Sequence, residues 1–294
     1  MNTANARDFI EEHGNALHPA ELSVLMDDGD PAAVVDALKG FQNPDGGFGH
    51  GLESDLRTSA SSVLATIVAL QRRTRRSSAT RCAICSKAMN TRTGRSSMPA
   101  ATTPHMHPGG PIEATGRASA WTTAACRTSS PTQAPRFSVT CSSTTAAPLL
   151  GFIQTIMDPA LNRLSAPLEM HDLQCYVRLF ESPSLPGAAR DAMLPLLLAH
   201  ACDLVRIAAP DWDEYALMPL HVISGPDSMF MGFFGEAVAA NFEWLSAQQC
   251  TDGSWAPSWS WGGSFPSTWE VVEYEIRATL TLDVLQKLKQ FSRL

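Results

Sequence analysis

Apolar residues recur at roughly helical spacing through both ends of the chain and lose that order in the middle. Over residues 21–38, Leu22, Val24, Leu25, Val34, Val35 and Leu38 are interleaved with Asp and Glu, a pattern that predicts helix. The run Asn43-Pro44-Asp45-Gly46-Gly47 comes next, built from residues that accept positive φ or fix a bend, and it predicts a turn. Helix resumes over 59–70 on Val63, Leu64, Ile67, Val68 and Leu70. Further on, helices are expected over 168–180, 194–205, 229–249 and 269–291, the last with Leu280, Leu282, Leu285 and Leu288 as its apolar residues. The chain therefore reads as all-α.

The division suggests three parts: 1–71, an anomalous 72–158, and 159–294. Residues 73–147 contain no Leu and no Asp, and carry ten Lys or Arg against the single acid Glu113. Their net charge is +9, so the rest of the chain carries −16 of the overall −7. A stretch so poor in large apolar side chains buries too little area to offset its ordering entropy, and it is expected to be poorly ordered. Two readings account for it. One is a basic linker. The other is translation out of frame: taking the third base of each codon with the first two of the next, residues 105–110 recode to His-Ala-Pro-Trp-Trp. In the same frame residues 133–147 recode to Ser-Ala-Glu-Ile-Leu-Gly-Tyr-Leu-Phe-Leu-Asp-His-Gly-Arg. A single change of frame restores Leu, Asp and amphipathic order at both places. Its boundaries would fall near 71–73 and 156–161.

The two ordered ends share a passage. Phe41-Gln42-Asn43-Pro44-Asp45-Gly46-Gly47-Phe48-Gly49 and Gln248-Gln249-Cys250-Thr251-Asp252-Gly253-Ser254-Trp255 both read Gln, spacer, Asp-Gly, small residue, aromatic. Each leads into a helix with Ala-Thr, at 65–66 and 278–279. The Gln amide is suited to bond the turn's backbone, Gly supplies the bend, and the aromatic packs on a neighbouring hairpin. Such units stack because each alone exposes an apolar face. These passages resemble the QW-type repeats of terpenoid cyclases, squalene-hopene cyclases and protein prenyltransferase β subunits. Residues 50–58 and 168–173 further resemble bacterial prenyltransferase-like proteins. The resemblance implies an (α/α)6-type toroid, incomplete if the middle is out of frame, with pocket loops at one ring end. It also implies a small isoprenoid or other apolar substrate.

Three clusters carry candidate chemistry. In His50, Glu53, Asp55 and Arg57, the two carboxylates are candidate acids whose protonation Arg57 would set, with His50 and Arg57 as substrate contacts. The structural alternative is that Asp55 and Thr58 cap the next helix while Arg57 pairs with Glu53. In Glu169, His171 and Asp172, His171 beside a carboxylate suits a base or a metal ligand, with Glu169 as a substrate contact, or else starts a helix. In Trp255, Trp259, Trp261 and Trp269 with Glu270, aromatic faces suit a carbocation or a sugar. Trp259 and Glu270 are the lining candidates, and repeat packing alone explains Trp255.

No zinc site is expected, although the prenyltransferases resembled here use an Asp, a Cys and a His. Cys250 precedes its turn, and Cys82 and Cys85 have no second pair. Asp211-Trp212-Asp213-Glu214 departs from the Asp-x-Asp-Asp acid motif at its last position and suits a turn. No other cofactor motif is present. An acidic chain argues against nucleic acid as a partner, and no apolar run is long enough for a bilayer span. Without a signal-peptide core at the start, a cytoplasmic location is expected, with its seven Cys reduced. The functional alternatives are a carbohydrate-active α/α barrel, with Glu53 or Asp55 facing Glu169 or Glu270 across a cleft, and a non-functional frameshifted product.

Overall fold

The computed structural model describes residues 1–74, 106–107, 110–111, 157–182, 185–212 and 215–294. The basic stretch with its two readings, and the Cys82–Cys85 pair, lie outside them, apart from two short strands. These are β1 (Met106–His107) and β2 (Gly110–Pro111), paired antiparallel. The described residues are otherwise mostly helical and form an all-α protein. Contacts divide the chain into two compact units, one of Met1–Thr115 with Phe242–Leu294 and one of Gly116–Asn241. The boundary cuts the 159–294 part at Asn241.

In the first unit α1 (Thr3–His13) is capped by the Asn2 side chain, which accepts from the Asn5 N–H at 3.1 Å. Residues 21–38 form two helices where the hydrophobic pattern predicts one. α2 (His18–Met26) stops before Asp28, whose φ is +52°, and α3 (Pro31–Leu38) begins with the Asp30 carboxylate capping Ala32 N at 2.8 Å. The polar run Asp27-Asp28-Gly29-Asp30-Pro31 holds a breaker, a cap and a first-turn proline in sequence. α4 (Val63–Thr74) starts later than expected, because Ser62 Oγ caps it by accepting from Ala65 N. Leu17, Val34, Leu38, Phe41, Phe48, Leu52, Ala65 and Ala69 make one buried core.

The second unit holds α5 (157–164), α6 (Met170–Phe180), α7 (Gly187–Leu204), a short α8 (Pro219–Val222) and the start of α9 (Met231–Ala247). Leu173, Met193, Leu197, Trp212, Ile223 and Phe230 are buried in it. Their polar neighbours are satisfied: Tyr176 donates to the Ala160 carbonyl at 2.8 Å and Trp212 to that of Arg206 at 2.7 Å. α7 starts earlier than the expected 194 and carries Pro195 within it. α10 (Pro266–Gln290) closes the chain in the first unit, where α1 packs on it. Among the described residues no helix is long and apolar enough to cross a membrane.

The shared passages form the same turn. Gln42 Nε2 donates to the Gly46 carbonyl at 3.1 Å, and Gln249 Nε2 to that of Gly253 at 2.9 Å. Asn43 N bonds Gly47 O and Cys250 N bonds Ser254 O, each at 2.9 Å. The Asp45 and Asp252 carboxylates accept from Gly47 N and Ser254 N at 2.9 and 3.0 Å. Gly46 and Gly253 sit at φ +86° and +88°, where a side chain is strained. The backbone N–H of each aromatic residue then donates to a helical threonine, Phe48 to Thr66 Oγ1 and Trp255 to Thr281 Oγ1, both at 3.1 Å. Thr281, and not the Thr279 of the Ala-Thr pair, is thus the counterpart of Thr66. In each, the same hydroxyl also bonds back to the carbonyl one helical turn earlier, Ser62 for one and Arg277 for the other.

Candidate functional site

The loop after the first turn is folded on itself by His50 N bonding Thr58 O at 2.8 Å and Leu56 N bonding Glu53 O at 2.9 Å. Leu52 and Leu56 are buried beneath it, which sets Glu53 and Asp55 on one short bend. Burial pushes the Glu53 carboxyl up to about 7; the Asp55 charge adds to the rise, and Arg72 and a backbone hydrogen bond oppose it. Glu53 is therefore an acid still protonated in part at neutral pH.

The cation that acts on this acid is Arg72 of α4, where the sequence suggests Arg57. Arg57 instead forms an ion pair with Glu275 of α10, Nη1 to Oε2 at 2.5 Å. Arg72 Nη1 lies 3.2 Å from Oε2 of the buried Glu21. Burial works against the Arg72 charge, but Glu21, Asp283 and Glu53 outweigh it and hold the guanidinium above its ordinary value. Beside this group, His18 is lowered to about 4, by burial first and by the Arg72 charge second. Its Nδ1 accepts from Asn15 N at 3.0 Å, so the neutral ring carries its proton on Nε2 and donates it to Thr279 Oγ1 at 2.8 Å. Thr279 passes a hydrogen bond to the Glu275 carbonyl at 3.0 Å.

The aromatic wall comes from the loop after the second turn and from the start of α10. Trp261 is buried on Val272 and Ile276, with Trp259 and Trp269 packed around them. The Trp269 ring lies 5.3 Å from that of Trp261 and 5.8 Å from that of Trp259. The Trp261 indole N–H donates to Asp55 Oδ1 at 3.2 Å, which joins the two loops. Trp255 belongs to the turn itself and gives its indole N–H to the Leu245 carbonyl at 2.7 Å.

Of the remaining sequence candidates, His50 is exposed and bonds Asn43 Oδ1 at 3.0 Å, bracing the turn. Glu270 is exposed on α10. The capping alternative for Asp55 and Thr58 does not describe α4, which Ser62 caps. In the second unit, Glu169 precedes α6 without a side-chain cap bond and is exposed. His171 Nε2 meets the Tyr215 hydroxyl at 2.8 Å, while Asp172 pairs with Arg163 at 2.7 Å. These neighbours serve different partners, as their helical spacing requires. Asp211 is exposed in a 3₁₀ turn, and Asp213 and Glu214 lie outside the described residues.

Sequence reasoning missed Arg72, Glu21, His18 and Asp283. Arg72 closes an apolar helix and looks like the first residue of the basic stretch. Glu21 and His18 are signalled only by sitting among Leu17, Leu22 and Leu25 on a helix whose inner face is apolar. Among the described residues no group of three His, Cys, Asp or Glu is arranged to hold a metal ion.

Fold and site together define a helical protein with an acid and a tryptophan wall carried on two equivalent loops. Comparison with protein-family models, curated proteins and solved structures finds no match to this chain.

Proposed function

We propose that the chain is a terpenoid cyclase/prenyltransferase-like α/α-toroid protein that acts on an isoprenoid or similar apolar substrate, with Glu53 as proton donor. What carries this reading is the hydrogen bond that joins a wall of three tryptophans to the loop of Glu53, whose carboxyl burial pushes up to about 7. An acid with that midpoint is matched to proton transfer near neutrality, and indole faces stabilise the cation that alkene protonation creates. In the step, the Glu53 O–H bond breaks and the alkene π pair forms the new C–H bond. The positive charge stays on the substrate carbon, and the carboxylate left behind is compensated by Arg72. The repeated turn supports the superfamily reading, although shared architecture alone does not fix a reaction.

The test is incubation of the purified chain in D2O with a polyene alcohol, farnesol, and a polyene hydrocarbon, squalene. A product carrying deuterium on carbon is expected, with the rate reduced about 100-fold or more in Glu53→Gln. No deuterated product from either, or an undiminished rate in Glu53→Gln, contradicts the reading.

A further inference from the structure

Among the described residues, those other than glycine that hold a positive φ are Asp28, His50, Phe265 and Ser292. Asp28, His50 and Ser292 are polar, and Asp and His are among the types found there most readily. Phe265 is the exception, a bulky ring at φ 49° and ψ 56°. In that region the Cβ of an L-residue crowds the following carbonyl, and the position calls for Gly or Asn. The next residue is Pro266, which pushes its predecessor toward extended backbone. Phe265 is also the N-cap of α10 and makes no side-chain cap bond. Local rules are thus broken together at one position, and burial does not repay them, because the residue is 49% exposed.

The surrounding bonds hold Phe265 there and place it at the tryptophan wall. Its carbonyl accepts from Trp269 N at 2.9 Å and from Thr268 N at 3.0 Å. Ser264 N bonds the Trp261 carbonyl at 3.0 Å. Phe265 therefore lies about one turn along the chain from each of two tryptophans whose rings are 5.3 Å apart. Between it and Trp261 come Gly262 and Gly263, at φ +59° and +81°, where an added Cβ meets no atom within 4 Å. Open space flanks the strained residue. Costly conformations that are kept by their surroundings cluster at ligand clamps and active sites.

We infer that Phe265 is a substrate-contacting residue, whose exposed ring packs on the apolar chain of the substrate bound at the tryptophan wall. Its ligand rests on the proposed function, whereas the proton transfer is not needed. Binding covers a ring that the fold leaves half bare, so affinity accounts for the residue where stability does not. Replacing Phe265 by Asn should then strengthen the fold and weaken the site, a pairing that a packing role cannot produce.

The test is a farnesol titration of the full chain followed by tryptophan fluorescence, with denaturant unfolding read on the same proteins. Phe265→Asn is expected to raise the farnesol Kd about five-fold, from the lost burial of half a phenylalanine. Its folding equilibrium constant is expected to rise about five-fold as the strain is relieved. Farnesol that does not bind, an unchanged Kd in Phe265→Asn, or a fall in that variant's stability overturns the inference. The unmutated chain gives a second reading. Nuclear Overhauser contacts between farnesol methyl protons and the Phe265 ring are expected, and their absence overturns the inference as well. Deuterium incorporation separates the two proposals. Farnesol binding that depends on Phe265 without deuterated product sinks the proposed proton transfer and leaves Phe265 in place. Deuterated product with binding indifferent to Phe265 sinks the inference and leaves the proton transfer.

Discussion

The two Asp-Gly turns share the bonds that form their bend and differ in what they carry. Both fold through a Gln amide, an Asp carboxylate, a left-handed glycine and a helical threonine. The first opens into a loop that bears an acid, and the second into a loop that bears Trp259 and Trp261, the latter hydrogen-bonded to the first loop. The lesson is a division of labour: the turn holds the fold, and the connection behind it is free to carry chemistry. Environment distinguishes the turns as well. Gly253 packs against the backbone of α1, where an added Cβ would meet Ala6 N and Asn5 C at 2.4 Å.

That difference can be broken most severely at the glycine. Gly253→Ala combines a strained φ with a backbone clash and is expected to cost about 4 kcal/mol or more in chemical denaturation, well beyond the roughly 1 kcal/mol of a strained φ by itself. A loss of only about 1 kcal/mol would show that α1 does not crowd this turn.

The acid region gives the next largest effect. Glu53 has a folded midpoint of about 7 against an ordinary 4.5. Between those values the unfolded chain has released a proton that the folded chain keeps, so stability falls as pH rises. His18 has a folded midpoint of about 4 against 6.5. There the unfolded chain binds a proton that the folded chain refuses, so stability rises with pH. The two slopes overlap and nearly cancel, and the unmutated protein is expected to vary little between them. Glu53→Gln should uncover a gain of about 3 kcal/mol as pH rises from 4 to 6.5. His18→Asn should uncover a loss of similar size as pH rises from 4.5 to 7. Denaturation midpoints across the range check both, and matching slopes in the two variants would refute the opposition.

A smaller contrast lies in the threonines. Thr281 is fully buried and receives the N–H of the buried Trp255, whereas Thr66 is half-buried. Replacing either by Val strands a backbone donor, at about 2 kcal/mol for Thr281→Val and about 1 kcal/mol for Thr66→Val. The order of the two, read by thermal or denaturant unfolding, is the informative result.

Much of this is legible in the residues. Asn-Pro-Asp-Gly-Gly and Thr-Asp-Gly-Ser announce turns because only a few residue types tolerate that backbone, and the flanking apolar periodicity announces helices. The break at 27–30 is masked by a hydrophobic count that runs through it, although Asp30-Pro31 is a helix start. Of the site, Glu53 and Asp55 are visible as close acids in a bend after glycines. Their controlling cation is not, because Arg72 lies 51 residues along the chain from Glu21 and nothing local announces that its helix packs back onto that acid. Arg57 looks like the partner because it is near in sequence, yet it reaches across to Glu275. Sequence proximity ranks local partners and is silent about those brought by packing. The threonine equivalence shows the same limit, since a shared Ala-Thr pair points to Thr279 while the hydrogen bond selects Thr281.

The most direct measurement is the carboxyl titration of Glu53 in the unmutated chain. A midpoint close to 7 is expected from its burial beside Asp55. A midpoint in the ordinary carboxylate range, about 4 to 5, would mean that the two loops do not enclose an acid and that no proton donor sits there.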